Sequence, residues 1–248
     1  MTKPRVAFFD FTCCEGCQLT VLNCEDEILD ILGAVDIVNF REAMTNRSDD
    51  YDIAFVEGSC THPSEIPRLE KIRQNAKVVV ALGACAATGG INCLKNFQSM
   101  DDVLTEVYGK DAGFYSTIPA RPVDAVIKVD HKLHGCPIRK DEFIRLVTDL
   151  LQGKKPYVVN SPVCAECKMA GNVCVFEKGK TCLGPITRGG CQAVCVTGGS
   201  LCWGCRGLVD EPNVDSEKEV LAKYGVGMDD IMRKFRLYYG SYEVAKSA

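Results

Sequence analysis

Sixteen cysteines in 248 residues set the chemistry open to this chain. Thiolates bind soft and borderline metals, exchange disulfides or act as nucleophiles, and spacing separates these uses. Eight of them crowd into one stretch as Cys164-x2-Cys167-x6-Cys174-x7-Cys182 and Cys191-x3-Cys195-x6-Cys202-x2-Cys205. Two consecutive quartets, each holding a Cys-x2-Cys pair, suit two four-thiolate sites. Zinc and an iron–sulfur cluster both accept that donor set, and spacing alone does not separate them. Four more cysteines lie in short Gly- or Pro-flanked segments. They are Cys14 and Cys17 in Cys13-Cys14-Glu15-Gly16-Cys17, Cys85 in Gly83-Ala84-Cys85, and Cys136 in His134-Gly135-Cys136-Pro137. Cys13 competes with Cys14 for a ligand role, and the Cys-x2-Cys spacing to Cys17 favours Cys14. Cys24, Cys60 and Cys93 lack partners at useful spacing and read as core or surface thiols.

The elements that must position these residues read as an α/β chain. Val6–Phe9, Val35–Phe40, Asp52–Val56, Val78–Leu82 and Ile127–Val129 have strand patterning, and Val78–Leu82 is a continuous apolar run of the kind buried on both faces. Helices are expected over Cys17–Leu32 (apolar at Leu19, Leu22, Ile28, Leu29 and Leu32), Pro63–Ala76 with Thr61 as N-cap, Met100–Tyr108, and Arg139–Leu151 closed by Gly153. Strands alternating with helices imply an open, doubly wound parallel sheet, whose ligands bind beyond the carboxyl ends of its strands. Cys14, Cys17, Cys85 and Cys136 all follow a strand, so three loops would bring them to one edge. Glycines there let backbone approach a bound cluster and aim N–H groups at its sulfurs.

After Gly153 the texture changes. Lys154, Lys155, Pro156, Ser161 and Pro162 read as a linker, which divides the chain into 1–153 and 154–248. The stretch from Cys164 to Cys205 has few large aliphatic residues, so structural metal is expected to tie it together. Ser216 to Tyr239 returns to helix-like patterning, with Ser216 and Glu219 at capping-box spacing.

Composition removes several function classes. The net charge is −4 with a pI near 5.5, and Lys and Arg are scattered, which argues against a nucleic-acid surface. A nucleic-acid-binding zinc ribbon would need basic residues around its knuckles. Only Lys168, Lys178, Lys180, Arg188 and Arg206 are near, without an aromatic platform. No run approaches the roughly 18 apolar residues of a membrane helix. The opening MTKPRVAFFD shows neither a signal pattern nor a twin-arginine pair, so a reducing cytoplasm is expected, where metal accounts for cysteine better than disulfides do. G-x-G-x-x-G and P-loop signatures are missing.

Four motifs in order resemble a known family, the small electron-transfer subunit of cytosolic [NiFe] hydrogenases. They are Cys14-Glu15-Gly16-Cys17, Glu57-Gly58-Ser59 after a strand, Gly83-Ala84-Cys85-Ala86-x-x-Gly89-Gly90, and Gly135-Cys136-Pro137. Cys182-Leu183-Gly184-Pro185-Ile186-Thr187-Arg188-x-x-Cys191 and Cys202-Trp203-Gly204-Cys205 sharpen the likeness toward the delta subunit of sulfhydrogenases and NADP-reducing hydrogenases, with the F420-linked gamma subunit as a relative. The resemblance implies a flavodoxin-like domain followed by a small cysteine-rich iron–sulfur domain, and three [4Fe–4S] clusters. Cys14, Cys17, Cys85 and Cys136 would hold the proximal one, Cys191, Cys195, Cys202 and Cys205 the medial one, and Cys164, Cys167, Cys174 and Cys182 the distal one. It also implies two partners: a large subunit carrying the nickel–iron site where H2 is split, and an acceptor subunit of flavin/iron–sulfur diaphorase type or binding F420. Trp203 would shield the medial cluster or serve packing. Glu15 and Glu57 would be loop-capping carboxylates or face the large subunit, and His134 would support its neighbour Cys136 rather than ligate. Two rival readings stand beside this one. The small subunit of respiratory complex I shares the α/β domain and a tandem Cys-Cys but lacks the eight-cysteine extension. A zinc-stabilised interaction module would have no redox role.

Overall fold

A computed structural model describes residues 3–245. Five parallel strands form one sheet in the order β2-β1-β3-β4-β5: β1 Arg5–Asp10, β2 Asp36–Phe40, β3 Ile53–Glu57, β4 Val78–Leu82 and β5 His131–Leu133. The helices are α1 Gly16–Leu22, α2 Asp26–Ala34, α3 Glu65–Asn75, α4 Gly83–Thr88, α5 Met100–Tyr108, α6 Lys140–Leu151, α7 Val163–Met169, α8 Val194–Thr197, α9 Val214–Lys223 and α10 Met228–Tyr239. This is the expected α/β architecture. Alternate strand residues feed opposite faces, as the two-residue period requires. Val6, Phe8, Ile53, Phe55, Val80 and Leu82 pack with Phe143 and Leu146 of α6 on one face. Ala7, Phe9, Ala54, Val56, Val79 and Ala81 pack with Leu69 and Ile72 of α3 on the other. Phe8 stacks on Phe40 at 4.3 Å and on Phe55 at 4.9 Å, and each ring removed from water contributes roughly 2–3 kcal/mol.

Four expectations change. The helix expected over Cys17–Leu32 breaks into α1 and α2 at 23–25, where Glu25 takes φ 49°. Leu19 and Leu29 of its expected apolar face are exposed, and the side chains of Ile28 and Leu32 lie outside what the structure describes. The last strand is His131–Leu133 rather than Ile127–Val129. Asp130 exchanges bonds with Val79 through its own N–H and carboxylate, so the ladder with β4 begins just after it, while Ile127 drops into the core. At α3, Glu65 reaches back to the N–H groups of Thr61 (2.7 Å) and His62 (2.9 Å), so Thr61 is capped rather than capping. At α9, Asn213 accepts from the Ser216 N–H at 3.0 Å, displacing the expected Ser216–Glu219 box.

The cysteine-rich stretch does have a core, supplied largely by the tail. Leu221 of α9 and Ile231, Phe235 and Tyr239 of α10 are wholly buried against Val163, Leu183 and Ile186. Among the described residues no helix is long and apolar enough to cross a membrane.

Candidate metal centres

The sheet's carboxyl edge gathers the first cysteines. β1 runs into Phe11–Cys17, and Thr12 bridges Ser59 beyond β3. The Glu57 carboxylate, at the end of β3 and 2% exposed, accepts the backbone N–H of Cys17 (3.0 Å) and of Gln18 (2.9 Å). An anion at the first turn of α1 meets the unpaired donors and the positive end of the helix dipole. This settles the role of Glu57 as a cap. Glu15, at φ 61°, has its carboxyl raised by burial and by hydrogen bonding to Glu42.

β4 turns into α4 at Gly83, and the Ala84 N–H donates to the Gly135 carbonyl at 2.7 Å, which ties the Cys85 and Cys136 loops together. A Cβ on Gly83 would sit 2.3 Å from the Cys17 sulfur, and φ there is 82°, so glycine is required on both counts. The Cys85 thiol is pushed up to about 12 by burial, then by Cys136 and Cys14. Cys13 is also pushed up to about 12, by burial, then by Glu57, with Cys85 a smaller influence. Cys17 rises by burial and then by Glu57. Cys14, Cys17, Cys85 and Cys136 thus converge on one edge, with Cys13 beside them. Cys24 and Cys60 are buried elsewhere, while Cys93, buried with its thiol on the Ala120 carbonyl, lies near enough to Cys85 to raise it slightly.

A second set surrounds Gly184, whose Cβ would lie 3.3 Å from the Cys164 sulfur and 3.4 Å from that of Cys182. Cys164 is pushed up to about 12 by burial, then by Cys182, Cys167 and Cys174 in turn, so these four face one another. The third set lines a cavity of about 590 Å³. Cys191, Cys195, Cys202 and Cys205 all reach it, together with Cys136, Pro137, Arg139, Trp203 and Tyr238. Trp203 stands at this cavity half-exposed, with Lys234 over its ring.

The sets touch in sequence. The Cys205 thiol, pushed up to about 11 by burial and then by Cys191, faces the Cys136 N–H. At the other end the Cys182 sulfur accepts the N–H of Cys202 at 3.2 Å and of Gly184 at 3.4 Å. A hydrogen bond with the Cys202 thiol joins these donors and makes Cys182 the more acidic of the pair.

Two observations test the fit to iron–sulfur clusters. Burial first, and neighbouring thiols after it, raise Cys85, Cys164 and Cys205, so these are donors that ionise readily only around positive charge. Several buried polar atoms without a partner also flank the sets: both amide atoms of Gln18 next to Cys17, Nδ1 of His134 near Cys136, and Oε1 of Glu217. His134 is held neutral, its pKa lowered to about 3 by burial, then by Arg188 and Arg206. Glu217 is raised to about 8 by burial, then by Cys182. Quartets of thiols are a donor set that an iron–sulfur cluster takes.

Sequence cues missed three supporting residues: Arg206, Tyr238 and Gln18. Arg206 directly follows a cysteine, which was a signal. Tyr238 and Gln18 are helix residues whose position only the packing reveals.

Comparisons with known proteins agree with this geometry. Residues 14–150 match the family described as NADH ubiquinone oxidoreductase, 20 Kd subunit. Sulfhydrogenase 2 subunit delta of Pyrococcus furiosus is 32% identical over 94% of this chain and 98% of its own length. A vhu subunit of the F420-non-reducing hydrogenase of Methanococcus voltae is 28% identical over 93% of this chain and 91% of its own. Among solved structures, a chain of an NAD+-reducing [NiFe]-hydrogenase in the H2-reduced state superposes with a TM-score of 0.57 at 25% identity, covering 62% of this chain and 94% of that one. The [NiFeSe]-hydrogenase of Dm. baculatum shares the fold over 87% of this chain and 98% of its own, with a TM-score of 0.57 at 17% identity. The chain therefore belongs to the NADH ubiquinone oxidoreductase 20 kDa subunit family, on its branch of [NiFe] hydrogenase small subunits, as the part of an oxidoreductase that does not itself carry the H2-activating site.

Proposed function

We propose that this chain relays electrons between the nickel–iron site of a partner large subunit and a nucleotide- or F420-linked acceptor subunit, through three [4Fe–4S] clusters. The observation that carries the reading is the contiguity of the three cysteine sets, joined at Cys136/Cys205 and at Cys202/Cys182. Cys14, Cys17, Cys85 and Cys136 hold the proximal group, Cys191, Cys195, Cys202 and Cys205 the medial, and Cys164, Cys167, Cys174 and Cys182 the distal. A bound [4Fe–4S] cluster supplies one-electron chemistry at a potential set by ligation, hydrogen bonds and burial. The chain's own residues do the tuning. Glu57 fixes the first turn that carries Cys17, and Gly83 leaves the space that the Cys17 sulfur occupies. The Cys202 and Gly184 N–H groups stabilise negative charge on Cys182. Residues 1–153 form the flavodoxin-like domain and 154–248 the iron–sulfur domain, working in the cytoplasm.

Anaerobic iron, sulfide and zinc analysis of the purified complex tests this. About twelve irons per chain with matching sulfide, and EPR signals on dithionite reduction, are expected for three clusters. Stoichiometric zinc with little iron in the 164–205 stretch would overturn it.

A further inference from the structure

The relay depends on cysteines from stretches far apart in sequence, and Cys136 must stay in register with Cys191 and Cys205. Arg206 sits where these stretches meet. It follows Cys205 directly and is 2% exposed. Its guanidinium makes two bonds to Glu142 of α6, Nη1 to Oε2 at 2.8 Å and Nη2 to Oε1 at 2.7 Å. Nη1 also donates to the His134 carbonyl at 2.8 Å, and Nε to the Gly189 carbonyl at 2.5 Å. His134 and Gly189 each lie two residues before a cysteine, Cys136 and Cys191. Gly190 completes the enclosure: a Cβ there would be 2.3 Å from both Arg206 Nη2 and Glu142 Oε1. Arg139, at the start of α6, adds a bond to the Cys191 carbonyl at 3.4 Å.

A buried ion pair adds little net stability, since an apolar pair of the same volume often packs as well or better. What this pair adds is direction, with four bonds along the fixed fork of one guanidinium reaching three separate segments. The cavity beside it is lined by Gly135, Cys136, Pro137, Cys191, Cys205 and Arg206, so any slip of these segments opens the gap between the set holding Cys136 and the set holding Cys191 and Cys205.

We infer that Arg206, held by Glu142, is a positioning residue that fixes the separation of the Cys136 loop from Cys191 and Cys205, and so governs electron passage between the proximal and medial centres. This rests on the three-cluster reading above. The overall reaction used to test it balances as H2 giving two protons and two electrons, each electron reducing one viologen dication to its radical cation.

The experiment uses the intact complex, prepared anaerobically, with Arg206→Lys and with the paired substitution Arg206→Met/Glu142→Leu. H2/D+ exchange reads the nickel site alone, H2-driven viologen reduction reads the relay, and EPR of the reduced protein reads the magnetic interaction between neighbouring centres. With iron content intact and exchange retained, viologen reduction should fall by about tenfold, and the interaction between the proximal and medial centres should weaken. Full viologen reduction and an unchanged interaction in either iron-replete variant would overturn the inference and leave the pair a packing device. If the paired variant does not assemble, Arg206→Lys, which keeps the charge and loses the fork, decides by the same readouts. Fewer than three clusters in the unsubstituted complex would defeat the three-cluster reading instead, before any variant is compared.

Discussion

Glu57→Gln separates a helix cap from a charge effect on the thiols. The Glu57 carboxylate accepts two backbone N–H groups at 3.0 and 2.9 Å from a site only 2% exposed. Hydrogen bonds to a charged group are worth about 1.5–3 kcal/mol each, and the dipole of the short helix shares in that sum rather than adding to it. Glutamine keeps one acceptor oxygen but turns an NH2 toward the other N–H, so one bond is lost and one buried donor is left unmet. The local cost is about 2 kcal/mol, or about 30-fold in the opening equilibrium of the first turn. Amide exchange by mass spectrometry on the intact anaerobic complex reads this in peptides covering residues 13–23. Protection of Cys17 and Gln18 should fall by about 30-fold, with little change in the strands. The same substitution removes a negative charge that raises Cys13 and Cys17, so after cluster removal these thiols should react faster with alkylating reagents. Unchanged exchange at Cys17 and Gln18 in an iron-replete variant would refute the cap.

Gly83→Ala should lose the proximal cluster alone, about four irons, because its Cβ falls 2.3 Å from the Cys17 sulfur at φ 82°; iron analysis and EPR check it. Cys14→Ser should lose the same cluster while Cys13→Ser keeps it, and the reverse outcome on EPR would move the ligand to Cys13. Burial pushes the Asp130 carboxyl up, but the Arg73 guanidinium at 2.6 Å and the Val79 N–H at 2.8 Å outweigh it and hold it low. A carboxyl lowered in the folded state contributes stability above its unfolded value, near pH 4, and loses it as pH falls further. Asp130→Asn should therefore lower thermal stability at neutral pH and flatten its decline on acidification.

Legibility followed local physics. Val78–Leu82 was readable because a β-branched run buried on both faces has no other comfortable conformation, and the loops after β1 and β4 inherit their cysteines from that placement. The last strand slipped because one side chain, Asp130, starts the ladder through a bond that no periodicity shows. The helix after Cys17 broke where Glu25 takes a positive φ, a turn that apolar periodicity does not show. The core under the cysteine-rich stretch was hidden because it is borrowed from α9 and α10, beyond the last cysteine in sequence. For the sites, spacing suggested the two later quartets and strand-end loops the first, whereas the contacts at Cys136/Cys205 and Cys202/Cys182 exist only in three dimensions.

Those contacts also bear on which branch of the family fits. The matched family region, residues 14–150, contains β2 to β5 with Cys14, Cys17, Cys85 and Cys136, leaves β1 outside, and stops short of Cys164. A complex I-type small subunit shares that much, so the family description alone does not choose between branches. The matched chain of the NAD+-reducing [NiFe]-hydrogenase is aligned over 94% of its own length yet covers only 62% of this chain. What discriminates is the remainder. The P. furiosus and M. voltae subunits match over 94% and 93% of this chain, through both later quartets. The structure joins that remainder to the sheet by buried directional bonds, Arg206 to Glu142 and His134 and Arg139 to Cys191, rather than by a loose linker. An extension held this rigidly against the loop carrying Cys136 meets the fixed spacing that the electron relay proposed above requires.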